Sequence, residues 1–189
     1  MNKVKFNLKN VHYAPLTFED DGAPTYGTPV RIPGAVSLSL DPEGDSTPFH
    51  ADGVVYYTTT ANNGYSGDLE IALVPESFET DILGATKGED GVIIENSTVE
   101  PKPFALLFQF DGDQKGILHA LYNCTAARPG VASKTTEDSK EVQTETLSVT
   151  AAPLADGRVK AKTGDETGAE IRNNWFKEVY AGQKTEQVN

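Results

Sequence analysis

A single cysteine, Cys124, and a single tryptophan, Trp175, occur in the chain. A lone thiol excludes an internal disulfide framework and a zinc site built on cysteines. Positive charge is also scarce. Lys and Arg number 16 against 28 Asp and Glu, for a net charge of −12 over 189 residues. Tight binding along a nucleic-acid backbone needs clustered cations, and so does docking on an anionic membrane. The balance argues against both. Long hydrophobic runs are missing: no stretch of about 18 apolar residues occurs, so no membrane span is expected. Met1–Leu8 alternates polar with apolar residues and lacks the continuous apolar stretch of a signal peptide. The sequons at Asn96 and Asn123 are therefore read as chance matches, and the chain as a soluble product of a reducing cytoplasm. The hydrophobic share of 38% is low, beside an ordinary ~45–50% that also counts Gly. The charged share of 23% is ordinary and argues against wholesale disorder. The length suits one domain, with room for an appended arm.

Signatures of catalysis are equally thin. His12, His50 and His119 fall in no HxxxH, HxH or HExxH spacing that builds a zinc site. No GxSxG elbow, P-loop or dinucleotide fingerprint is present. Asp111-x-Asp113 followed by Gly116 begins like a calcium loop. Its fifth position is Lys115 and its twelfth is Tyr122, where a bidentate glutamate is needed. A hairpin turn explains the same residues. The two acids of a glycosidase need not be near in sequence, so a chain with 28 acids says nothing on that point. The reading is a protein that is not an enzyme and carries no cofactor and no metal.

What is present is period two. Val4, Phe6 and Leu8 alternate with polar residues, and Val11 and Tyr13 resume on the opposite parity, as a bulge requires. Val36, Leu38 and Leu40 alternate with Ser37 and Ser39. Leu69 and Ile71 alternate with Asp68 and Glu70, and Leu147, Val149 and Ala151 with Thr146, Ser148 and Thr150. Val54–Thr60 is rich in β-branched and aromatic residues, which suits a strand. Three hairpins are predicted from the turn residues. Asp111–Gly116 joins Phe104–Phe110 to Ile117–Cys124. Asn62-Asn63-Gly64 joins Val54–Thr60 to Tyr65–Leu73. Asp156-Gly157 joins Thr144–Leu154 to Arg158–Thr163. Helical punctuation is confined to Pro75–Gly84, where Phe78, Ile82 and Leu83 share a face, and to Glu170–Tyr180, where Ile171, Trp175 and Val179 do. Leu16–Gly34 and Ala126–Lys140 are too long for turns. The predicted fold is all-β: two packed antiparallel sheets in a sandwich or barrel, one short flanking helix, and a C-terminal helix or arm. The body covers residues 1–169 and the arm residues 170–189.

Four stretches go further. They are VKFNLKNVHYAPLT within Lys3–Thr17, PVRIPGAVSLSLDPEGDSTPFHADGVVYY over Pro29–Tyr57, NNGYSGDLEIALVPESF over Asn62–Phe78 and RNNWFKEVY over Arg172–Tyr180, spread from near the start of the chain to near its end. Together they resemble the major tail proteins, or tail tube proteins, of long-tailed phages with non-contractile tails that infect Gram-positive bacteria. The resemblance implies the tail tube fold shared with contractile-tail tubes and type VI secretion tubes. It implies hexameric rings of identical subunits, stacked around a lumen that carries double-stranded DNA without specific binding. It implies as partners a tape-measure protein in the lumen, with a tail terminator and baseplate or distal tail proteins at the ends. The location implied is the virion tail, assembled in the host cytoplasm without a membrane.

Under that resemblance, Thr144, Thr146, Ser148 and Thr150, with Glu145 between them, are candidates for the lumen wall. A solvated outer face is the other reading of the same residues. Tyr26 and Arg31 in the first long loop, Arg128 in the second, and Trp175, Phe176 and Tyr180 in the arm are candidates for contacts between subunits or rings. The alternative function is a carbohydrate- or surface-binding β-sandwich module, which needs exposed aromatics lining a groove.

Overall fold

The computed structural model describes residues 2–135 and 141–182 of the chain. Within them run the strands β1 (Lys5–Phe18), β2 (Pro24–Tyr26), β3 (Val30–Arg31), β4 (Ala35–Glu43), β5 (Ser46–Ala51), β6 (Val54–Thr60) and β7 (Gly64–Ile71). A short helix, α1 (Glu76–Asp81), follows. Then come β8 (Thr86–Lys87), β9 (Ile93–Ile94), β10 (Phe104–Gly112), β11 (Ile117–Ala126), β12 (Glu145–Ala151), β13 (Lys160–Lys162) and a second short helix, α2 (Ala169–Asn174).

The protein is mostly β, as predicted, but the expected pair of separate sheets is one hydrogen-bonded network. Nine strands form it in the order β2-β1-β10-β11-β12-β7-β4, with β13 added to β11 and β3 to β1. The network folds over at the junction of β11 and β12, which rests on three residue pairs, Cys124–Ala151, Thr125–Thr150 and Ala126–Val149. The rest of that β11 edge is taken by β13, through His119–Lys162, Ala120–Ala161 and Leu121–Lys160. Inward side chains from either side of the seam meet in one core. Val11, Tyr13, Phe104 and Leu106 pack with Leu69, Ile71, Leu147 and Val149. One bent sheet thus supplies both layers. It is not a closed barrel. At one end the chain from Val30 to Ala35 crosses from β1 toward β7. There Ile32 N–H donates to the Val11 carbonyl at 2.8 Å, and Ala72 N–H to the Gly34 carbonyl at 2.8 Å.

Period two holds where one face is solvated. In β12, Leu147, Val149 and Ala151 are buried while Thr146, Ser148 and Thr150 are exposed. In β10 all five residues Phe104–Phe108 are buried, because this strand is covered on both faces. Its second face holds Ala105 and Leu107, packed with Ala14, Leu118, Tyr122, Trp175 and Val179. The parity change in β1 comes from register shifts between Phe6 and Leu8 and between Lys9 and His12. Asn7 and Asn10 there take positive φ values of 54° and 53°. Helix α1 lies where predicted. Its buried Phe78 meets Tyr13 edge-on at 5.1 Å and Phe104 at 5.4 Å.

The hairpin of Phe104–Phe110 with Ile117–Cys124 is present as β10–β11. The other two pairings differ from prediction. Strand β6 pairs with β5, not with β7. Both edges of β7 are already occupied, by β4 and β12, so none is left for β6. The turn is Asp52-Gly53, with φ of 53° and 77°, the two positive values of a type I′ turn. The Asn62–Gly64 stretch instead continues β6 into β7, with Asn63 N–H donating to the Glu43 carbonyl at 2.8 Å. A Cβ on Gly64, whose φ is +104°, would meet the Ala151 carbonyl oxygen at 1.8 Å. Strands β12 and β13 do not pair either. A tight turn forms, with Leu154 N–H donating to the Arg158 carbonyl at 2.9 Å, but the two strands lie along β11. The first long loop contains β2 and β3, both paired with β1.

The C-terminal segment through Gly182 packs on its own sheet. Helix α2 covers only the first half of the predicted helix, and turns follow it. Trp175 is 3% exposed. Its Nε1–H donates to the His119 carbonyl at 3.2 Å, and Tyr180 stacks on it at 5.6 Å. Arg172 donates to the Gly116 carbonyl and Arg158 to the Ala181 carbonyl. Residues 183–189 of the predicted arm lie outside the described residues. This docking predicts a blue-shifted emission from Trp175, with little quenching by iodide. Trp175→Ala is expected to cost about 3–5 kcal/mol in urea unfolding, the range for emptying a large aromatic site.

Candidate functional site

Two surfaces stand out. The first is the outward face of β4, β7 and β12. Register aligns its residues in rows: Ser37 beside Glu70 beside Thr146, Ser39 beside Asp68 beside Ser148, and Asp41 beside Ser66 beside Thr150. Each row holds a carboxylate among hydroxyls. These strands contain no Lys or Arg at all. The hydroxyls hold the acids in place. Glu70 accepts from Thr144 at 2.7 Å and from Ser37 at 2.9 Å, and Asp68 accepts from Ser148 at 2.7 Å. Ser66 donates to Glu43. The bonds from Thr144 and then Ser37 hold the Glu70 carboxyl below its ordinary range, so it stays charged. The face is therefore anionic, wet, and without a cation to anchor a phosphate.

The second surface is the β5–β6 hairpin. Its strands are exposed throughout except for the half-buried Ala51. Yet it is not polar. Phe49 is 61% exposed, Tyr56 72% and Tyr57 63%, beside exposed Val54 and Val55. A two-stranded hairpin is marginal in water on its own, and an apolar patch of this kind marks an interaction surface. Asp41–Tyr65 contains no Lys or Arg, so the hairpin too is acidic.

Thr144, Thr146, Ser148 and Thr150 all lie on the first surface. Glu145 has the opposite parity; it is half-buried and accepts from Val74 N–H at 2.5 Å. Four of the predicted contact residues, Tyr26, Trp175, Phe176 and Tyr180, gather at the core face of Ala105 and Leu107, and Arg31 and Arg128 are not part of it. Tyr26, in β2, is half-buried 6.4 Å from Tyr122, with its hydroxyl buried and unpartnered among the described residues. Burial pushes that phenol up. Arg31 is exposed in β3 and opposite His12. Arg128 pairs with Glu95 at 2.7 Å and lines a cleft of about 440 Å³ that also holds Glu76, Glu79 and Glu145. Burial there, then the neighbouring carboxylates, raise Glu79. Phe176 stacks on His12 at 4.8 Å. Trp175 and Tyr180 anchor the C-terminal segment within the chain.

Asp68, Glu70, Ser37, Ser39 and Ser66 were not among the residues chosen from sequence. The signal for them is the shared parity of three strands that all lack Lys and Arg. The signal for the hairpin is Asp52-Gly53 between two β-prone runs. Among the described residues, no group of three or more His, Cys, Asp or Glu is placed to hold a metal ion. Cys124 is buried, and burial pushes its thiol up to about 12. No helix among the described residues is long and apolar enough to cross a membrane.

The chain matches none of the protein-family models and none of the curated proteins with which it was compared.

The hydroxyl clamp on Glu70 is measurable. Its carboxyl carbon is expected to titrate by NMR with a midpoint below 4.5, the ordinary value. Thr144→Val should move that midpoint up. The sign for stability follows: a depressed carboxyl contributes above its unfolded pKa, and the contribution is lost as pH falls through the folded value.

Proposed function

We propose that this chain is the tail tube subunit of a long-tailed, non-contractile phage, assembling into stacked hexameric rings around a conduit for double-stranded DNA. The observation that carries the reading is the cation-free face of β4, β7 and β12. Facing a lumen, Asp41, Glu43, Asp68 and Glu70 repel phosphates, while the hydroxyls offer no charge that would hold them. DNA then passes through and does not stick. In bulk solvent the same face needs no such exclusion of Lys and Arg.

Assembly is supported by the second surface. The exposed apolar hairpin and the open edges of the bent sheet are liabilities in a lone subunit and contacts in a closed ring. In this reading the ring takes a tape-measure protein in its lumen and terminator and distal tail proteins at its ends. The protein is then a virion component without catalytic activity.

The test is negative-stain electron microscopy of the concentrated protein. Rings or tubes with a central hole are expected, and a chain that stays monomeric at every concentration overturns the reading. Val55→Asp with Tyr57→Asp is expected to abolish assembly with little change in the midpoint of thermal unfolding, since both residues are exposed. Asp68→Lys with Glu70→Lys is expected to leave rings intact and slow DNA ejection from reconstituted particles. Normal ejection would place this face away from the lumen.

A further inference from the structure

The bent sheet leaves its core open at one end. A cavity of about 320 Å³ enters there between β4 and the β10–β11 layer. Leu38, Leu40, Phe108, Phe110 and Leu121 line it together with Ser39, Tyr65 and His119, and no Asp or Glu does. Its rim is basic. Lys5 places Nζ 5.1 Å from the centre of the Phe110 ring, and Lys160 places Nζ 4.1 Å from that of Tyr65, whose hydroxyl accepts from it. Lys162 sits opposite His119 in the β11–β13 register. Among the described residues, none of these lysines forms an ion pair with a carboxylate. His119 stacks on Phe108 at 4.9 Å, and its Nε2 is buried with no hydrogen-bond partner among the described residues. Burial, with Lys162, Lys5 and Lys160 nearby, lowers its pKa to about 4, so the ring adds no charge at neutral pH.

A partly apolar hollow with a cationic rim suits an apolar group that carries a carboxylate beside it. The same chain displays one. On the β5–β6 hairpin, Phe49 and Tyr57 are direct cross-strand partners and both are exposed. Asp45 precedes the hairpin, Asp52 forms its tip, and no Lys or Arg lies between them. The hairpin cannot fold back onto its own cavity. Leu40 and Tyr65 of the lining sit at its base, and strands of this length carry the tip about 20 Å beyond the base.

We propose that the β5–β6 hairpin of one copy docks at the open core end of the next copy. Phe49 and Tyr57 cover the cavity mouth, and Asp52 at the tip meets the lysine rim. The contact is head-to-tail, the kind that generates rings when the rotation closes. It accounts for two unmatched surfaces at once, the uncovered hairpin and the unpaired lysines. It rests on the assembly reading above and names the contact through which assembly occurs.

Charge reversal tests it. Lys5→Glu with Lys160→Glu reverses the rim, and Asp45→Lys with Asp52→Lys reverses the hairpin. Each double variant alone is expected to need about tenfold more protein, or still more, to associate, measured by analytical ultracentrifugation. Mixing the two should restore association, because every hairpin then meets a rim of opposite sign. Trp175 emission checks that each variant is folded. Should a variant misfold, oxidising a mixture of Asp52→Cys and Lys160→Cys chains provides a second measure, with a mixed disulfide expected. Loss in the parents with return on mixing, or the mixed disulfide, supports the docking whether the products are tubes or shorter oligomers. Unchanged association in both parents, no return on mixing, or no mixed disulfide overturns it. Tubes seen under those same conditions would leave the tail tube reading standing without this contact. A wild-type chain that never associates removes both.

Discussion

The run Phe104–Phe108 has to lose water on both of its faces, and much of the molecule is arranged to supply the two covers. Fully burying one large apolar side chain contributes about 1.5–3 kcal/mol, so leaving either face of β10 wet is costly. One cover is the far half of its own sheet. The three-pair seam between β11 and β12 folds β12, β7 and β4 back, so that Leu69, Ile71, Leu147 and Val149 close over Phe104 and Leu106. The other cover is the C-terminal segment, whose Trp175 and Val179 close over Ala105 and Leu107. The small residues Ala14, Ala105 and Ala120 on that face leave room for the indole.

Charge follows the same division. The layer beyond the seam carries carboxylates and hydroxyls without a single cation. Lys5, Lys9, Lys160, Lys162 and Arg172 lie in the layer of β1, β11, β13 and α2. The net charge of −12 is thus unevenly spread. Asp41, Glu43, Asp68 and Glu70 share one wall without a cation, and Lys5 and Lys160 line the open end of the core. Such a subunit presents different potentials in different directions, and these orient a second copy before it makes contact.

Much of this was legible in the sequence, and the rest for definite reasons was not. The alternation in β4, β7 and β12 gave the faces correctly, since a strand with one wet side has to alternate. The β1 bulge was visible as a change of parity. Pairing was harder. Asn62-Asn63-Gly64 looks like a hairpin turn, and locally nothing contradicts it. What rules it out is distant: β4 and β12 take both edges of β7. The stronger turn signal, Asp52-Gly53, stands just before Val54–Thr60, and the run Ser46–Ala51 on its other side was not read as a strand. Trp175 looked like an anchor for a partner because its amphipathic spacing is the same whether the helix docks at home or abroad. The acidic wall was found only in part, since rows such as Ser37–Glu70–Thr146 join residues far apart in the chain and exist only once register is known.

The hairpin is not a separate appendage. Its strands run on into β4 and β7, with Asn63 N–H bonding to the Glu43 carbonyl and Ala61 N–H to the Asp45 carbonyl across the join. Antiparallel hydrogen bonds lie perpendicular to their strands. A pull on the hairpin along its length therefore draws β4 and β7 together and loads the ladder of β7 with β12 in shear, across all its pairs at once and not one at a time. Force entering at the tip passes straight into the middle of the acidic layer. The projecting element is mechanically a handle on the body.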